Sequence, residues 1–249
     1  MHRAVRSRPR FREPPLAEAI CEFRFEESDG WNWTVPGRLH ERLRDRFPMI
    51  EQVAPPTIVV GPPVRSGPMQ VERLRFRSVD GGRIVQSGPW LLAVNMLPPY
   101  PGWEEFLEMI LEIYRLHRDL VGGLAIRRLG LRYINRIDPH GHAVVDLTTV
   151  LPDLPSIFGG RAENFYERFD IPYRDPPGTL TFQTGTTGET RRTLMIDLDF
   201  WRVDVGNPDI ERLADWLRQV HDAIEDAFVR ALTSRTCELL GLEREEAAS

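Results

Sequence analysis

Two sets of arginines are spaced so that each set would place its guanidinium groups on one face of a strand, where they could bind an anion. The sets hold three arginines each: Arg73, Arg75 and Arg77, and Arg128, Arg132 and Arg136. Guanidinium groups pair with carboxylates and phosphates through two parallel hydrogen bonds. The spacing therefore predicts an arginine-rich sheet face that suits an anionic ligand or an acidic segment of a partner.

Acidic residues are predicted to share this face. Glu18 and Glu22 alternate along an early strand, and Asp197 and Asp199 alternate along a late one. One interpretation is a solvated set of cross-strand ion pairs, each worth less than about 1 kcal/mol. The other is a concave site for an anionic ligand, a nucleotide or an acidic strand of a partner. Six arginines against four carboxylates leave an excess of positive charge, which keeps the second interpretation open.

A metal-dependent enzyme acting on phosphoesters is an alternative function. Asp197 and Asp199 could hold a metal ion only with a third carboxylate. Glu18 or Glu22 would supply it if those strands are neighbours. The sequence does not establish that these two strands are adjacent in the sheet, so no metal site is assigned to these residues.

The remaining catalytic patterns are weak. Asp138, His140 and His142 could direct three ligands to one side of an extended chain, but no distant fourth ligand accompanies them, and an exposed turn is the simpler interpretation. The sequence has no Gly-x-Ser-x-Gly elbow, no Walker loop and no dinucleotide-binding glycine motif. It predicts no catalytic residue and no cofactor, so an enzyme is the less favoured class.

Composition describes an ordinary soluble globule. Of the 249 residues, 41% are hydrophobic and 28% charged, and no run approaches the roughly 18 apolar residues of a membrane helix. Two cysteines provide no disulfide framework, and no signal segment opens the sequence, so a cytoplasmic location without membrane attachment is expected. Every basic side chain other than histidine is arginine.

The charge is unevenly distributed. Residues 1–13 carry five arginines and one glutamate, a charge of +4, so the rest of the chain carries −9 because the total is −5. An acidic body disfavours a dedicated nucleic-acid binder, although it leaves that function open. The basic segment is predicted to be a disordered arm.

Hydrophobic patterning defines the elements that would position these residues. The longest strand-like run is Leu124–Asp138, in which apolar and polar side chains alternate as in an antiparallel sheet with one packed face. Leu16–Glu26 alternates in the same way and turns Cys21 toward the core, as a buried hydrophobe. Further strands are predicted at Met69–Val79, Arg83–Gln86, Trp90–Leu97, Asn164–Arg174, Thr179–Thr184 and Thr190–Arg202, and a short strand or loop at Thr57–Val60. Helices are predicted from Thr34 to Phe47, from Pro101 to Leu120 and over Asn207–Leu240, with Thr34 and Asn207 as N-caps, and a short helix or turn is predicted at Val144–Leu151.

Both halves of the chain repeat one order of elements: strand, helix, three strands, long helix. The sequence therefore predicts an α+β fold built by internal duplication, with a curved antiparallel sheet and the helices on one face. The predicted divisions are a disordered arm at 1–13, repeats at 14–122 and 123–241, and a disordered tail at 242–249. This layout resembles helix-grip and TATA-binding-protein-like saddles, which bears on fold alone.

Two segments carry a resemblance to a known family. They are Pro14-Pro15-Leu16-Ala17-Glu18-Ala19-Ile20-Cys21-Glu22-Phe23-Arg24-Phe25 and Gly130-Leu131-Arg132-Tyr133-Ile134-Asn135-Arg136-Ile137. Both resemble signature segments of a sporadically distributed, uncharacterised prokaryotic family of roughly this length. The resemblance implies an opening strand and an approximate length, and it implies no activity.

The function favoured by the sequence is a non-enzymatic binding or adaptor protein. Its arginine-rich face would bind a small anionic ligand or an acidic partner segment, using the candidate residues Arg73, Arg75, Arg77, Arg128, Arg132, Arg136, Glu22, Asp197 and Asp199. A further alternative is an obligate dimeric structural subunit that pairs through the polar face or through the helices of Trp103 and Trp216.

Overall fold

The computed structural model describes residues 10–27, 29–54, 72–150, 159, 164–188 and 192–243. Several predicted features lie wholly or partly outside the described residues: most of the predicted arm and tail, the short strand at Thr57–Val60, the beginnings of the strands predicted from Met69 and Thr190, and the end of the segment Val144–Leu151.

Strands and helices follow one another as a mixed α+β chain. The strands are β1 (Arg10–Phe11), β2 (Leu16–Phe25), β3 (Met49–Val53), β4 (Arg73–Arg77), β5 (Arg83–Gly88), β6 (Leu91–Met96), β7 (Ile126–Ile137), β8 (Tyr166–Tyr173), β9 (Gly178–Thr187), β10 (Thr193–Gly206) and β11 (Leu242–Glu243). The helices are α1 (Thr34–Leu43), α2 (Trp103–Val121), α3 (Ile210–Ala231) and α4 (Ser234–Leu239), with a 3₁₀ turn at Val144–Leu147.

Nine of these strands form an antiparallel sheet in the order β3-β4-β5-β6-β2-β7-β10-β9-β8, and β1 pairs with β11 separately. The predicted α+β class with an antiparallel sheet is therefore confirmed. The internal duplication stays a prediction.

Two compact units share the chain. The N-terminal unit consists of residues 18–131 and 201–217, and the C-terminal unit of residues 1–17, 132–200 and 218–249. These divisions differ from the predicted repeats at 14–122 and 123–241, because strands β7 and β10 and helix α3 each contribute to both units.

The N-terminal unit packs its helices against one face of the sheet. Along β2, Ala19, Cys21, Phe23 and Phe25 are buried, as the alternation predicted. The Phe23 ring stacks on Tyr114 of α2, with ring centroids 4.9 Å apart. Burial, with a smaller contribution from the Glu22 charge, raises the pKa of the Cys21 thiol, which fits its predicted role as a small hydrophobe.

The C-terminal unit places α3 over the apolar face of β7. The Tyr133 hydroxyl forms a 2.9 Å hydrogen bond with Nδ1 of His221, whose side chain is buried. Leu198 and Phe200 of β10 are fully buried in the same unit. The opposite face of these strands is left to polar side chains.

Helix ends differ from the predicted caps. The Asn32 side chain, and not Thr34, accepts the hydrogen bond from the first backbone N–H of α1. The Asp209 carboxylate accepts the bond from the Arg212 backbone N–H at the start of α3. Asn207, the predicted cap of α3, instead donates its side-chain amide to Gly123, which lies just after α2.

The helix predicted over Asn207–Leu240 is divided in two. Between α3 and α4 the chain docks on the 3₁₀ segment, where the Thr148 hydroxyl donates to the Ala231 carbonyl at 2.9 Å. Thr233 then caps α4 by accepting from the Thr236 backbone N–H. Threonine favours such a cap over a position inside a helix, and this local preference breaks the long amphipathic pattern.

Three short strands were not predicted. Strand β3 is an edge strand of the sheet and pairs with β4. It exposes the consecutive residues Met49 and Ile50, so it lacks the alternation of apolar and polar side chains by which strands are recognised. Strands β1 and β11 pair Arg10 with Glu243 and Phe11 with Leu242. These four residues fall within the segments predicted as arm and tail.

Candidate functional site: the arginine face of the sheet

Strand β4 carries three arginines on the sheet face away from the helices. Arg75 lies opposite Glu51 of β3 and opposite Gln86 of β5, and Phe76 points to the buried face. Because side chains alternate along a strand, Arg73 and Arg77 share the face of Arg75. We call Arg73, Arg75 and Arg77 the β4 arginine row.

The acidic partners of this row are fewer than its guanidinium groups. Arg73 donates to Glu72 at 2.7 Å and to the Gln86 side chain at 2.8 Å. Arg75 and Arg77 both contact Glu51, each at 3.4 Å. The Glu51 carboxylate is thus shared by two guanidinium groups. Among the described residues the three arginines of the row pair with two carboxylates, so this end of the sheet face has an excess of positive charge.

Two donors of the row lack acceptors. The Nε atoms of Arg75 and Arg77 are buried and form no hydrogen bond with the described residues, since the Arg77–Glu51 contact is an ion pair without hydrogen-bond geometry. The chain between β3 and β4, residues 54–71, contains no aspartate or glutamate. A buried donor without an acceptor costs about 1–3 kcal/mol, so these groups favour an added acceptor.

Glu22 joins the two neighbouring arginines of the N-terminal unit. It accepts two hydrogen bonds from Arg24, at 2.9 and 3.1 Å, and one from Arg128 at 3.2 Å. The hydrogen bond to Glu22 raises the pKa of Arg24. The Arg128 guanidinium also lies 5.5 Å from the centroid of the Trp201 ring. Arg128 is therefore held by this chain's own groups.

A chain of neutral and charged side chains connects four adjacent strands. Arg73 of β4 donates to Gln86 of β5, Gln86 donates to Asn95 of β6 at 3.0 Å, and Asn95 donates to Glu18 of β2 at 2.7 Å. Asn95 is 3% exposed, so its amide is fixed by this relay. Sequence reasoning missed Gln86 and Asn95, because a single amide in a strand carries no spacing signal.

In the C-terminal unit, Arg132 is committed to Asp197. Two guanidinium nitrogens of Arg132 bond to the two oxygens of Asp197, the first at 2.8 Å, and Gln183 donates to the same carboxylate at 3.3 Å. Tyr166 in turn donates to Gln183. The Asp197 side chain is 4% exposed and that of Arg132 is 39% exposed, so a buried carboxylate is paired in bidentate geometry with a partly exposed guanidinium group.

The other two candidates of this unit are less constrained. Arg136 is exposed and forms no ion pair within the described part of the chain, and its backbone N–H donates to Pro15. Asp199 is half-buried on β10. The predicted face thus divides into a committed part around Glu22 and Asp197 and an under-paired part at the β4 arginine row.

The metal site considered as an alternative at Asp197 and Asp199 gains no support from the geometry. Both oxygens of Asp197 accept from Arg132, and a carboxylate held in this way is a poor metal ligand. Across the described ranges, the group of three potential ligand atoms within 4.8 Å of one another belongs to His221, Asp222 and Glu225 of α3. Asp138 accepts from the backbone N–H of His140 in a tight turn, as the simpler interpretation of that segment predicted.

Comparisons with known proteins do not assign the chain to a family. No protein-family model matches it, and no curated protein matches its sequence. Among the described helices, none combines the length and the apolar character that crossing a bilayer requires.

Proposed function

We propose that this chain is a non-enzymatic binding protein that recognises an acidic segment of a protein partner through the β4 arginine row. The observation that carries the proposal is that Arg75 and Arg77, whose side chains are 29% and 32% exposed, share the Glu51 carboxylate as their acidic partner among the described residues, each at 3.4 Å. A carboxylate from a partner would pair with these partly exposed guanidinium groups and offset the excess charge.

The spacing of the row favours an extended peptide over a single small anion. Alternate residues of a strand are separated by about 6.6–6.8 Å, so the three guanidinium groups repeat at that interval. An extended segment with acidic residues at alternate positions repeats its carboxylates at the same interval. Recognition of acidic motifs by arginine clusters is a common mode of peptide binding.

The rest of the arginine face supports the fold more than recognition. Arg128 and Arg132 already pair with Glu22 and Asp197, and displacing either partner would leave a carboxylate unpaired. An acidic partner therefore gains most where the chain has left its own guanidinium groups under-paired.

The test is calorimetric titration of the full chain with a short peptide of alternating glutamate and serine. The double variant Arg75→Gln/Arg77→Gln removes the row's under-paired charges. The matched control is Arg38→Gln/Arg115→Gln, which removes the same charge from exposed helix positions. Charge-assisted hydrogen bonds contribute about 1.5–3 kcal/mol each, so we expect at least a tenfold loss of affinity in the first variant.

We expect the control to keep the wild-type affinity and a serine-only peptide not to bind. Binding should also weaken as salt is added, because the row is partly exposed. Equal losses in both double variants would show attraction to net charge alone and would overturn the proposal. So would an unchanged affinity in Arg75→Gln/Arg77→Gln.

A further inference from the structure

A cleft of about 330 Å³ lies within the N-terminal unit, where β10 ends and α3 begins. Small-molecule sites have volumes of about 300–1,000 Å³, so this cleft is at the lower end of that range. Its lining includes Leu129, Arg202, Val205, Arg212, Leu213 and Trp216. The cleft is separate from the β4 arginine row, and the inference does not rest on the proposed function.

The cleft has a mixed polar and apolar lining on a well-supported base. Leu129 and Leu213 are each 1% exposed, and Trp216 is 6% exposed, so their positions are fixed by the packing behind them. Asn207 anchors the turn between β10 and α3 by its 2.7 Å hydrogen bond to the Gly123 carbonyl. A ligand would therefore meet a largely preformed surface.

The charged groups of the cleft are all positive. Arg202 lies over the Trp216 ring, 5.9 Å from its centroid, and faces no carboxylate among the described residues. Arg212 is largely exposed and pairs with Asp209, which is outside the lining. The lining thus holds two guanidinium groups and no carboxylate.

The contact of Arg202 with Trp216 occupies none of its N–H donors, because a cation–π contact is made with the ring face and not through a hydrogen bond. Within the described residues the Arg202 side chain forms no hydrogen bond. Those donors remain available to a group that enters the cleft. A carboxylate or phosphate can accept two of them side by side.

We propose that this cleft binds a small molecule with a flat apolar ring and one anionic group, a carboxylate or a phosphate. The ring packs against the half-buried Val205 and Pro208 of the lining. The anionic group accepts hydrogen bonds from Arg202, and Arg212 at the rim adds a second positive charge.

The experiment is calorimetric titration of the full chain with 1-naphthoate, 1-naphthyl phosphate and the neutral 1-naphthalenemethanol. We expect at least one anion to bind, and the neutral alcohol to bind at least about tenfold more weakly, because it lacks the charge-assisted contact. Comparison of the two anions then distinguishes carboxylate from phosphate as the preferred group.

Two variants locate the binding. Arg202→Gln should lower the affinity for the anion to that of the alcohol, and Val205→Phe should abolish binding of all three probes by filling the cleft. Arg230→Gln, an exposed position later in α3, is the charge-matched control and should bind as wild type does. Binding of the acidic peptide should be unchanged in Arg202→Gln, so this proposal and the proposed function fail separately.

Three results would overturn the proposal. They are equal affinity for the alcohol and the anions, wild-type affinity in Arg202→Gln, and failure of both anions to bind the wild-type chain.

Discussion

His117 gives a quantitative test of the packing between α2 and the sheet. Its side chain is fully buried, its ring stacks on Phe25 at 4.9 Å, and neither ring nitrogen has a hydrogen-bond partner among the described residues. Desolvation lowers its pKa from 6.5 to about 4. The folded chain therefore favours the neutral form of the His117 imidazole.

The sign and size of the pH effect follow from this difference. Above pH 6.5 the histidine is neutral in both the folded and the unfolded chain and contributes no pH dependence. Between pH 6.5 and about 4, His117 binds a proton in the unfolded chain but not in the folded chain. The free energy of unfolding therefore falls as the pH falls. At about 1.36 kcal/mol per pH unit, the loss by pH 4.5 is about 2.7 kcal/mol.

The perturbation is His117→Leu, which replaces the imidazole with an apolar side chain of similar size. At pH 7 we expect the free energy of unfolding to change by less than about 1.5 kcal/mol, because the lost ring stacking is offset by removal of two unpaired polar atoms. At pH 4.5 the variant should be more stable than wild type by about 2.7 kcal/mol relative to their difference at pH 7.

Urea unfolding followed by circular dichroism at several pH values between 7 and 4.5 measures this difference directly. The control is His142→Leu, which removes an exposed histidine and tests for a general effect of losing the residue. If the free energies of unfolding of His117→Leu and wild type fall in parallel as the pH falls, then burial does not keep His117 neutral in the folded chain, and the prediction is wrong.

The remaining predictions concern the buried ion pair and the thiols. Arg132→Met should lower the free energy of unfolding by about 1–2 kcal/mol in urea titrations, because the buried Asp197 carboxylate would lose a partner whose own side chain is 39% exposed and screened by solvent. Arg132→Met/Asp197→Leu should recover most of that loss, and a double variant no more stable than the single one would contradict this account. Cys21 should resist a thiol reagent in the native protein while the partly exposed Cys237 reacts, because burial favours the neutral Cys21 thiol; equal rates of modification would count against it.

Alternation along strands was sufficient to predict the fold class and most strands. Strand β7 spans Ile126–Ile137 within the predicted Leu124–Asp138, and its burial alternates from Leu131 onward. Before that point the pattern departs from the prediction, since Ile126 is buried and Arg127 is exposed. Local patterning predicts a strand well because one face must exclude water, but it does not fix the register at the strand's end.

The pairing of the arginines depended on information that spacing does not contain. Arg132 and Asp197 are 65 residues apart, and their bidentate contact requires the relative register of β7 and β10. Similarly, Asn207 and Asp209 are both good N-caps, and the choice is made by the tertiary bond from Asn207 to Gly123. The sequence predicted which residues share a face, and the structure determines which of them neutralise one another.

The exclusive use of arginine has a consequence for how the protein can be modified. No lysine occurs in the sequence, so no side-chain amine is available for acetylation, ubiquitination or amine-directed cross-linking. The guanidinium charges of the sheet face cannot be switched off by lysine-modifying enzymes. Chemical mapping of the surface requires dicarbonyl reagents for the arginines or carbodiimide reagents for the carboxylates.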